Sequence, residues 1–290
     1  MKKSVTSIAI AAALCIPMLS PVSARTSRKK ARSYSNANIV LKANKTVKKY
    51  NLDHKGKTDS LTVYCGTPKN SDYSNKSITV KTNGKSLTVK PSDGYYTSNI
   101  RLLRMKNGRY LVYVCVSGDD DLGDGFIFDV SGKKPVLKMR SDTIANINYG
   151  TSYGFDSPKA KGNTLSFEYL YNNATIGFIN AKLNYTVSSS GTLKGSSKWA
   201  LKKTVLMKGK FKLRKNIQTY KYAGSSRKAY LLKKGTYAKV TAVKINKKVP
   251  YFWLEEGKKK GYIKGLKHSQ LVWKSDFNGN PYFENVMYVG

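Results

Sequence analysis

The chain has 290 residues, with 53 lysines and arginines against 16 aspartates and glutamates, which gives a formal net charge of +37. Two histidines and dispersed carboxylates supply neither a zinc-ligand cluster nor a serine triad. Self-repulsion of this size costs stability in the compact state, so we expect a partner of opposite charge, although solubility alone would also account for the charge.

The first 24 residues are typical of a secretory signal peptide. Lys2 and Lys3 give a positive start, residues 5–19 are mostly apolar, and residues 22–24 are small enough for cleavage. The apolar run is shorter than the roughly 20 residues needed to span a bilayer, and no second long apolar run follows. We therefore expect cleavage after Ala24 and a mature protein without a membrane span that is secreted, extracellular or associated with the cell wall.

Positive charge is concentrated at the two ends of the mature chain. Residues 25–49 contain nine basic residues and no acid, and residues 202–274 contain 22 basic residues and two acids. Residues 25–46 also have little hydrophobic periodicity, and we expect a disordered basic arm there. Outside a cell the available polyanions are wall polymers, anionic lipid headgroups, acidic glycans and released nucleic acid. Export makes nucleic acid a less expected partner.

Short apolar or alternating runs begin near residue 47 and are separated by turn dipeptides, which is typical of strands and hairpins. Asn83-Gly84 lies between SITVKT and KSLTVK, and both residues tolerate the positive φ that a type I′ turn needs. Asn107-Gly108 and Ser131-Gly132 repeat the pattern. The sequence therefore predicts an all-β protein with an antiparallel β domain over 47–201, either a sandwich or a curled meander.

Two cysteines remain after signal removal, and each ends a strand-like run. Cys65 follows LTVY, and Cys115 follows LVYV. In an exported protein these residues could pair as a disulfide. They could equally be two small apolar residues buried in one sheet, and the sequence leaves both alternatives open.

The segment 51–59 is a candidate calcium loop, because oxygen-bearing side chains alternate around a glycine there. It is faintly similar to the loop of integrin-type FG-GAP repeats, and this resemblance would make Asn51, Asp53 and Asp59 the ligands. Lys55 stands where a third oxygen ligand belongs, and an ammonium group repels a cation. We therefore expect a surface loop that keeps the turn without the metal.

A second carboxylate-rich loop joins VYVCV to FIFDV. Asp119, Asp120, Asp121 and Asp124 repel one another unless water or a cation screens them. A solvated loop is the simplest interpretation, and bound calcium or a contact with the basic arm are the alternatives. No other cofactor is expected.

The C-terminal region, residues 205–273, resembles a bacterial SH3-like (SH3b) domain. The matching residues follow in order along the chain: Leu232, Gly235, Thr236, Val240, Val243, Tyr251 to Leu254, Gly261, Tyr262, Ile263 and Leu271. The usual Arg-Ser-Gly-Pro stretch of the family is replaced by RKNI at 214–217. The resemblance implies a small five- or six-stranded barrel. The tail over 274–290 is aromatic and poor in charge, so we expect it to pack back onto the protein.

Within β-strand geometry, Phe252 and Leu254 should point inward while Tyr251 and Trp253 point outward. SH3-like domains of exported bacterial proteins commonly bind the cell wall, so the resemblance implies an anionic envelope polymer or peptidoglycan as the ligand. The candidate contact residues are aromatic side chains with a neighbouring lysine run: Tyr220, Tyr222, Tyr251, Trp253, Tyr262, Lys258, Lys259 and Lys260.

The sequence favours a non-catalytic, envelope-binding protein. The alternatives are a wall hydrolase of an unrecognised type and an interaction protein for host surfaces or released nucleic acid. A cysteine peptidase would need a cysteine that opens a helix and a histidine downstream in a strand. His54 precedes both mature cysteines and His268 lies inside the SH3-like region, so we expect no enzyme.

Overall fold

The computed structural model describes residues 33–66, 77–92, 94–95, 97–118, 123–196, 198–202, 209–271, 279–284 and 286–288. Within these ranges the chain forms twenty β-strands and three short 3₁₀ helices, and no α-helix occurs there. The predicted all-β fold is confirmed. The expected signal peptide and the first part of the basic arm lie outside the described residues.

Twenty strands follow one another along the described residues. They are β1 (Ala37–Leu41), β2 (Thr46–Tyr50), β3 (Asp59–Cys65), β4 (Ile78–Thr82), β5 (Lys85–Val89), β6 (Thr97–Arg104), β7 (Tyr110–Ser117), β8 (Gly123–Asp129), β9 (Val136–Arg140), β10 (Gly150–Lys161), β11 (Thr164–Asn173), β12 (Gly177–Val187), β13 (Leu193–Gly195), β14 (Lys198–Lys202), β15 (Lys210–Lys212), β16 (Ile217–Tyr220), β17 (Lys228–Leu232), β18 (Tyr237–Asn246), β19 (Val249–Glu256) and β20 (Lys259–Lys264). The 3₁₀ helices are Ser141–Thr143, Ile147–Tyr149 and His268–Gln270.

These strands form three sheets. The central sheet has the order β1-β6-β7-β8-β9, and the small sheet has the order β2-β3-β4-β5. The long sheet has eleven strands, in the order β10-β11-β12-β14-β18-β19-β20-β16-β17, with β13 paired to β12 and β15 paired to β18. Neighbouring strands are antiparallel throughout, as predicted.

The hairpin predicted at Asn83-Gly84 is confirmed. Thr82 pairs with Lys85, and the two turn residues have φ angles of 45° and 81°. The turns at Asn107-Gly108 and Ser131-Gly132 join consecutive strands of the central sheet, which makes β6 to β9 a meander. The first hairpin belongs to the small sheet, so the three turns serve two different layers.

The central sheet is buried on both faces, which explains why β7 and β8 are nearly continuous apolar runs. On one face Val112 and Phe128 pack with strands β3 and β4 of the small sheet. On the other face Leu111 and Ile127 share a core with the long sheet. A strand that is covered on both sides does not need the alternation of polar and apolar residues that marks a half-exposed strand.

Part of the basic arm is ordered, which corrects the expectation of a disordered segment over 25–46. Strand β1 pairs along its whole length with β6, from Ala37 opposite Arg104 to Leu41 opposite Ile100. Pairing with β6 satisfies the N–H and C=O groups of β1 that face that strand, and β1 thereby forms an edge of the central sheet. The composition of the arm is polar on average, and this average conceals the short apolar run NIVL.

The expected boundary near residues 201–205 does not separate two sheets. Strand β14, from the end of the first predicted domain, pairs with β18 of the SH3-like region at Lys198–Lys244, Trp199–Val243 and Ala200–Ala242. The described residues belong to one compact unit. The described strands follow an open path that ends at β10 and β17, so the closed barrel implied by the resemblance is not formed.

The described part of the aromatic tail packs onto the body, as its composition predicts. Phe283 is fully buried and forms a β-bridge with Leu213. The side chain of Asn280 donates to the carbonyl of Thr175 at 2.8 Å, and its Oδ1 accepts the N–H groups of Tyr282 and Phe283 at 2.9 and 3.0 Å. The tail therefore fastens the start of the SH3-like region to the β11–β12 turn.

Candidate ligand-binding surface

Strand β19 presents two chemically different faces, as the sequence predicts. Phe252 and Leu254 are fully buried in the core, whereas Tyr251 and Trp253 are only partly buried. Side chains alternate across a strand with a period of two. The outward row therefore places aromatic rings where a ligand can reach them.

The aromatic row continues across neighbouring strands, although Tyr262 is largely buried there, with 9% of its surface exposed. Trp253 pairs with Tyr262 on β20, and Tyr262 pairs with Tyr220 on β16. The ring centroids of Trp253 and Tyr262 lie 4.7 Å apart in an edge arrangement, a geometry that stabilises aromatic pairs. Trp253 Nε1 donates to Glu255 Oε1 at 2.9 Å. These contacts bring three of the predicted aromatic residues into one row.

Lysines stand on both sides of this row. Tyr251 lies between Lys244 on β18 and Lys264 on β20. Glu255 lies between Lys239 and Lys260 in the same way. Directly opposed residues of an antiparallel pair point to the same side of a sheet.

We call this surface the aromatic–lysine face, and it comprises Tyr220, Tyr251, Trp253, Tyr262, Lys239, Lys244, Lys260, Lys264 and Glu255. The face carries four lysines and one carboxylate, and two of the lysines, Lys239 and Lys260, flank that carboxylate. That carboxylate also accepts from Trp253 Nε1 and from Thr241 Oγ1. The surface therefore combines flat apolar rings with an excess of positive charge, which suits an anionic ligand that carries sugar or polyol units.

Three predicted contact residues lie away from the row. Tyr222 is 61% exposed in the turn after β16. Lys258 is exposed in the β19–β20 turn, and Lys259 Nζ lies 4.0 Å from Glu256 Oε2. Conversely, the sequence did not identify Lys239, Lys244 and Lys264. Their place on the face depends on strand register, and the signal in the sequence is no more than a lysine at an outward position of each strand.

The candidate calcium loop is held by hydrogen bonds within the protein. Asp59 Oδ2 accepts the backbone N–H groups of Leu52 and Asp53 at 2.5 and 3.1 Å, and Asn83 Nδ2 donates to Asp59 Oδ1. Asp53 accepts from the Lys55 N–H, and the pKa of Asp53 is lowered chiefly by this bond. The carboxylates of this loop therefore organise a turn.

Of the second carboxylate loop, Asp119, Asp120 and Asp121 lie outside the described residues. Asp124 is buried beside a cleft of about 160 Å³ that Asp142 and Tyr169 also line. Its carboxylate accepts from the N–H and the Oγ of Ser92, and burial raises the pKa of Asp124. No group of three or more metal-ligating side chains occurs among the residues that the structure describes.

The disulfide considered for Cys65 and Cys115 is not formed, because both thiols are free. Cys65 belongs to the core between the small and central sheets, and Cys115 packs against the core of the long sheet. The two side chains thus lie on opposite sides of the central sheet, with Cys65 in the small sheet that covers one side and Cys115 on the side that the long sheet covers. Burial raises the pKa of both thiols, which disfavours the thiolate form.

The chain matches no protein-family model, no curated protein and no solved structure. Within the described ranges, no helix has the length and apolar character required to cross a bilayer.

Proposed function

We propose that this protein is a secreted, non-catalytic binding protein that attaches to an anionic polymer of the bacterial cell envelope. The observation that carries the proposal is the aromatic–lysine face, where the ring of Trp253 and the ring of Tyr251 lie among four lysines. Exposed cations attract a polyanion over about a Debye length. Flat rings add contact area for sugar or polyol units at a small entropic cost.

Two further observations support binding over catalysis. Among the described residues, His54 Nε2 is bonded to the Gly108 carbonyl and His268 lies in an exposed 3₁₀ helix. The environment of both thiols favours their protonated form. A cysteine–histidine pair of the kind that activates a nucleophile needs the two side chains within hydrogen-bond reach.

The test uses the chain from Arg25 to Gly290, because β14 and β18 share one sheet and an isolated C-terminal segment would lose that pairing. Sedimentation with purified cell walls, before and after removal of teichoic acid, measures binding. We expect binding to fall when the anionic polymer is removed and to weaken as salt is added. Equal binding to stripped walls would point to peptidoglycan, and no binding to either preparation would refute the envelope function.

A charge-matched pair of variants assigns binding to the face. One variant replaces the four face lysines, K239Q, K244Q, K260Q and K264Q. The control replaces four exposed lysines elsewhere, K81Q, K85Q, K90Q and K194Q. Both variants lose the same net charge, so we expect the first alone to weaken binding by about tenfold or more, ~1.4 kcal/mol. Equal losses would mean that net charge drives binding without this face.

A further inference from the structure

A second cleft, of about 330 Å³, lies far along the chain from the aromatic–lysine face, where the ordered arm meets β2, β6 and β7. We call it the tyrosine cleft. Six of its lining residues carry chemistry: Tyr34, Lys49, Asn51, His54, Arg104 and Tyr110. Its volume is at the lower end of the range of about 300–1,000 Å³ that is usual for small-molecule sites.

Aromatic rings form one wall of the tyrosine cleft. The ring of His54 lies 4.8 Å from that of Tyr34 and 6.0 Å from that of Tyr110, measured between centroids. His54 Nε2 is fixed by the Gly108 carbonyl at 2.9 Å. A Cβ at Gly108 would lie 2.8 Å from the Tyr34 ring and 2.9 Å from His54 Nε2, and its φ is 91°. Glycine at this position allows the rings to approach each other.

Arg104 supplies a cation that is held in place. Its Nε donates to the Ser35 carbonyl at 2.8 Å, its Nη2 to Ser35 Oγ at 2.6 Å, and its Nη1 to Tyr110 Oη at 3.3 Å. A guanidinium has five N–H donors in a rigid fork, so two remain beyond these three bonds. These partners are uncharged, so none of them offsets the positive charge.

Lys49 adds a second cation, with its Nζ 5.7 Å from the Tyr50 ring centroid. Within the described residues, no carboxylate lies within 4.0 Å of Lys49 or Arg104. Two positive charges in one cleft repel each other, and an anion between them would relieve that repulsion.

Asn51 supplies an independent observation. Its Oδ1 is buried and has no hydrogen-bond partner in the described structure. A buried acceptor without a partner costs about 1–3 kcal/mol. Asn51 lines the tyrosine cleft, and a turn of its side chain that lets a ligand hydroxyl donate to Oδ1 would remove this cost.

We propose that the tyrosine cleft binds a phosphate ester carried on a sugar or polyol. Arg104 and Lys49 bind the phosphate oxygens, since the guanidinium fork matches phosphate geometry. Asn51 Oδ1 accepts a hydroxyl of the carbon skeleton once its side chain turns toward the cleft, and the rings of Tyr34 and Tyr110 cover the apolar side of that skeleton. This proposal does not rest on the function proposed above, because it uses residues of two other sheets and of the arm.

Isothermal titration calorimetry of the Arg25–Gly290 chain tests the proposal, with glycerol 3-phosphate and glucose 1-phosphate as probes. Glucose and inorganic phosphate serve as the comparison. We expect both esters to bind more tightly than glucose or phosphate alone. The absence of a heat signal for both esters at millimolar concentration would overturn the proposal, and so would equal binding of inorganic phosphate.

Variants assign the heat to the cleft. Lys49→Gln and Asn51→Asp are expected to weaken ester binding by about tenfold each, ~1.4 kcal/mol. Arg104→Gln should do the same, and circular dichroism shows whether it folds. The control is Arg101→Gln, which removes one positive charge from the same strand at a residue that does not line the cleft. If Lys49→Gln and Asn51→Asp fold and bind like the parent chain, or if the control weakens binding equally, the proposal is wrong.

The two natural sources of this ligand chemistry are a polymer of polyol phosphates and a phospholipid headgroup. Binding of the Asn51→Asp and parent chains is compared on glycerol-phosphate teichoic acid and on phosphatidylglycerol vesicles. A loss confined to the polymer assigns the cleft to the wall, and a loss confined to vesicles assigns it to the membrane surface. A variant that loses ester binding but keeps wall sedimentation separates this site from the aromatic–lysine face.

Discussion

Trp253 and Tyr262 face each other across β19 and β20 with their ring planes at 62°. Trp253 Nε1 is also bonded to Glu255, two residues along the same strand. The indole is thus fixed from two sides before any ligand arrives. A side chain that is already ordered loses less entropy on binding.

Replacement of Trp253 should therefore reduce the affinity for the ligand more than the stability of the fold. We expect Trp253→Ala to weaken wall binding by about tenfold, ~1.4 kcal/mol. Trp253→Phe should remove most of any ligand-induced change in tryptophan fluorescence. Tyr64, an exposed aromatic residue of the small sheet, provides the control variant Tyr64→Ala. Binding that is insensitive to Trp253→Ala would exclude the indole from the contact.

Glu168 and Lys202 predict a pH dependence of stability. Burial alone would raise the pKa of Glu168, but its bonds to Lys202 and Asn180 outweigh burial and lower it below the ordinary value of 4.5. A carboxyl whose pKa is lowered by folding stabilises the protein above its unfolded pKa, and this contribution is lost as the pH falls through the folded pKa.

Lys202→Met should remove part of this contribution. Because the Lys202 side chain is about half exposed, we expect a loss of only about 0.3–1 kcal/mol at pH 7. The difference from the parent chain should shrink as the pH falls through the folded pKa of Glu168, which lies below 4.5. Urea unfolding at pH 7 and pH 3 measures it, with Lys198→Met on the same strand as the control. A difference that is the same at both pH values would contradict the assignment.

Asn280 predicts that the tail contributes to global stability. Its side chain donates to one of the two buried carbonyls of the β11–β12 turn at 2.8 Å and to the other at 3.3 Å. Asn280→Ala removes this donor from the Thr175 carbonyl, whereas the Ala174 carbonyl still accepts from the Tyr288 hydroxyl at 3.1 Å. We expect a loss of about 1–3 kcal/mol. Chemical unfolding followed by circular dichroism measures this loss. Asn148→Ala, at an exposed asparagine, should change stability by less than about 0.5 kcal/mol.

The two thiols predict a slow reaction with modifying reagents. Cys65 is buried, Cys115 is partly covered, and the pKa of each is raised by burial. In the Arg25–Gly290 chain we expect almost no reaction with a disulfide reagent in buffer and two thiols in denaturant. The mass should not change on reduction. A mass gain of two hydrogen atoms after reduction would show that the thiols pair after all.

Local structure could be predicted where it depends only on residues that are adjacent in the sequence. The turn at Asn83-Gly84 follows from two residues that tolerate positive φ, and the faces of β19 follow from the alternation of Phe252 and Leu254 with their aromatic neighbours. The neighbours of Tyr251 could not be predicted in this way. Lys244 and Lys264 become its neighbours through the register of three strands, and that register shifts at a bulge between Val240 and Ala242.

Contacts between segments that are far apart in the chain could not be predicted from the sequence. Tyr34, His54 and Arg104 meet because β1 pairs with β6, and a polar average over the arm concealed that strand. Whether the two cysteines could pair depended, in the same way, on how the three sheets stack. Both residues end apolar runs, and only the burial of the central sheet on both faces places them in different cores.

The pairing of β14 with β18 has a consequence for how this protein can be divided. The SH3-like region cannot be separated by a cut at residue 202. Such a cut would leave β14 on one fragment and β18 on the other, each with an unpaired strand edge. Exposed edges pair with other chains, so each fragment should self-associate. We therefore expect a wall-binding activity of this protein to be carried by the whole unit, with its melting as a single transition.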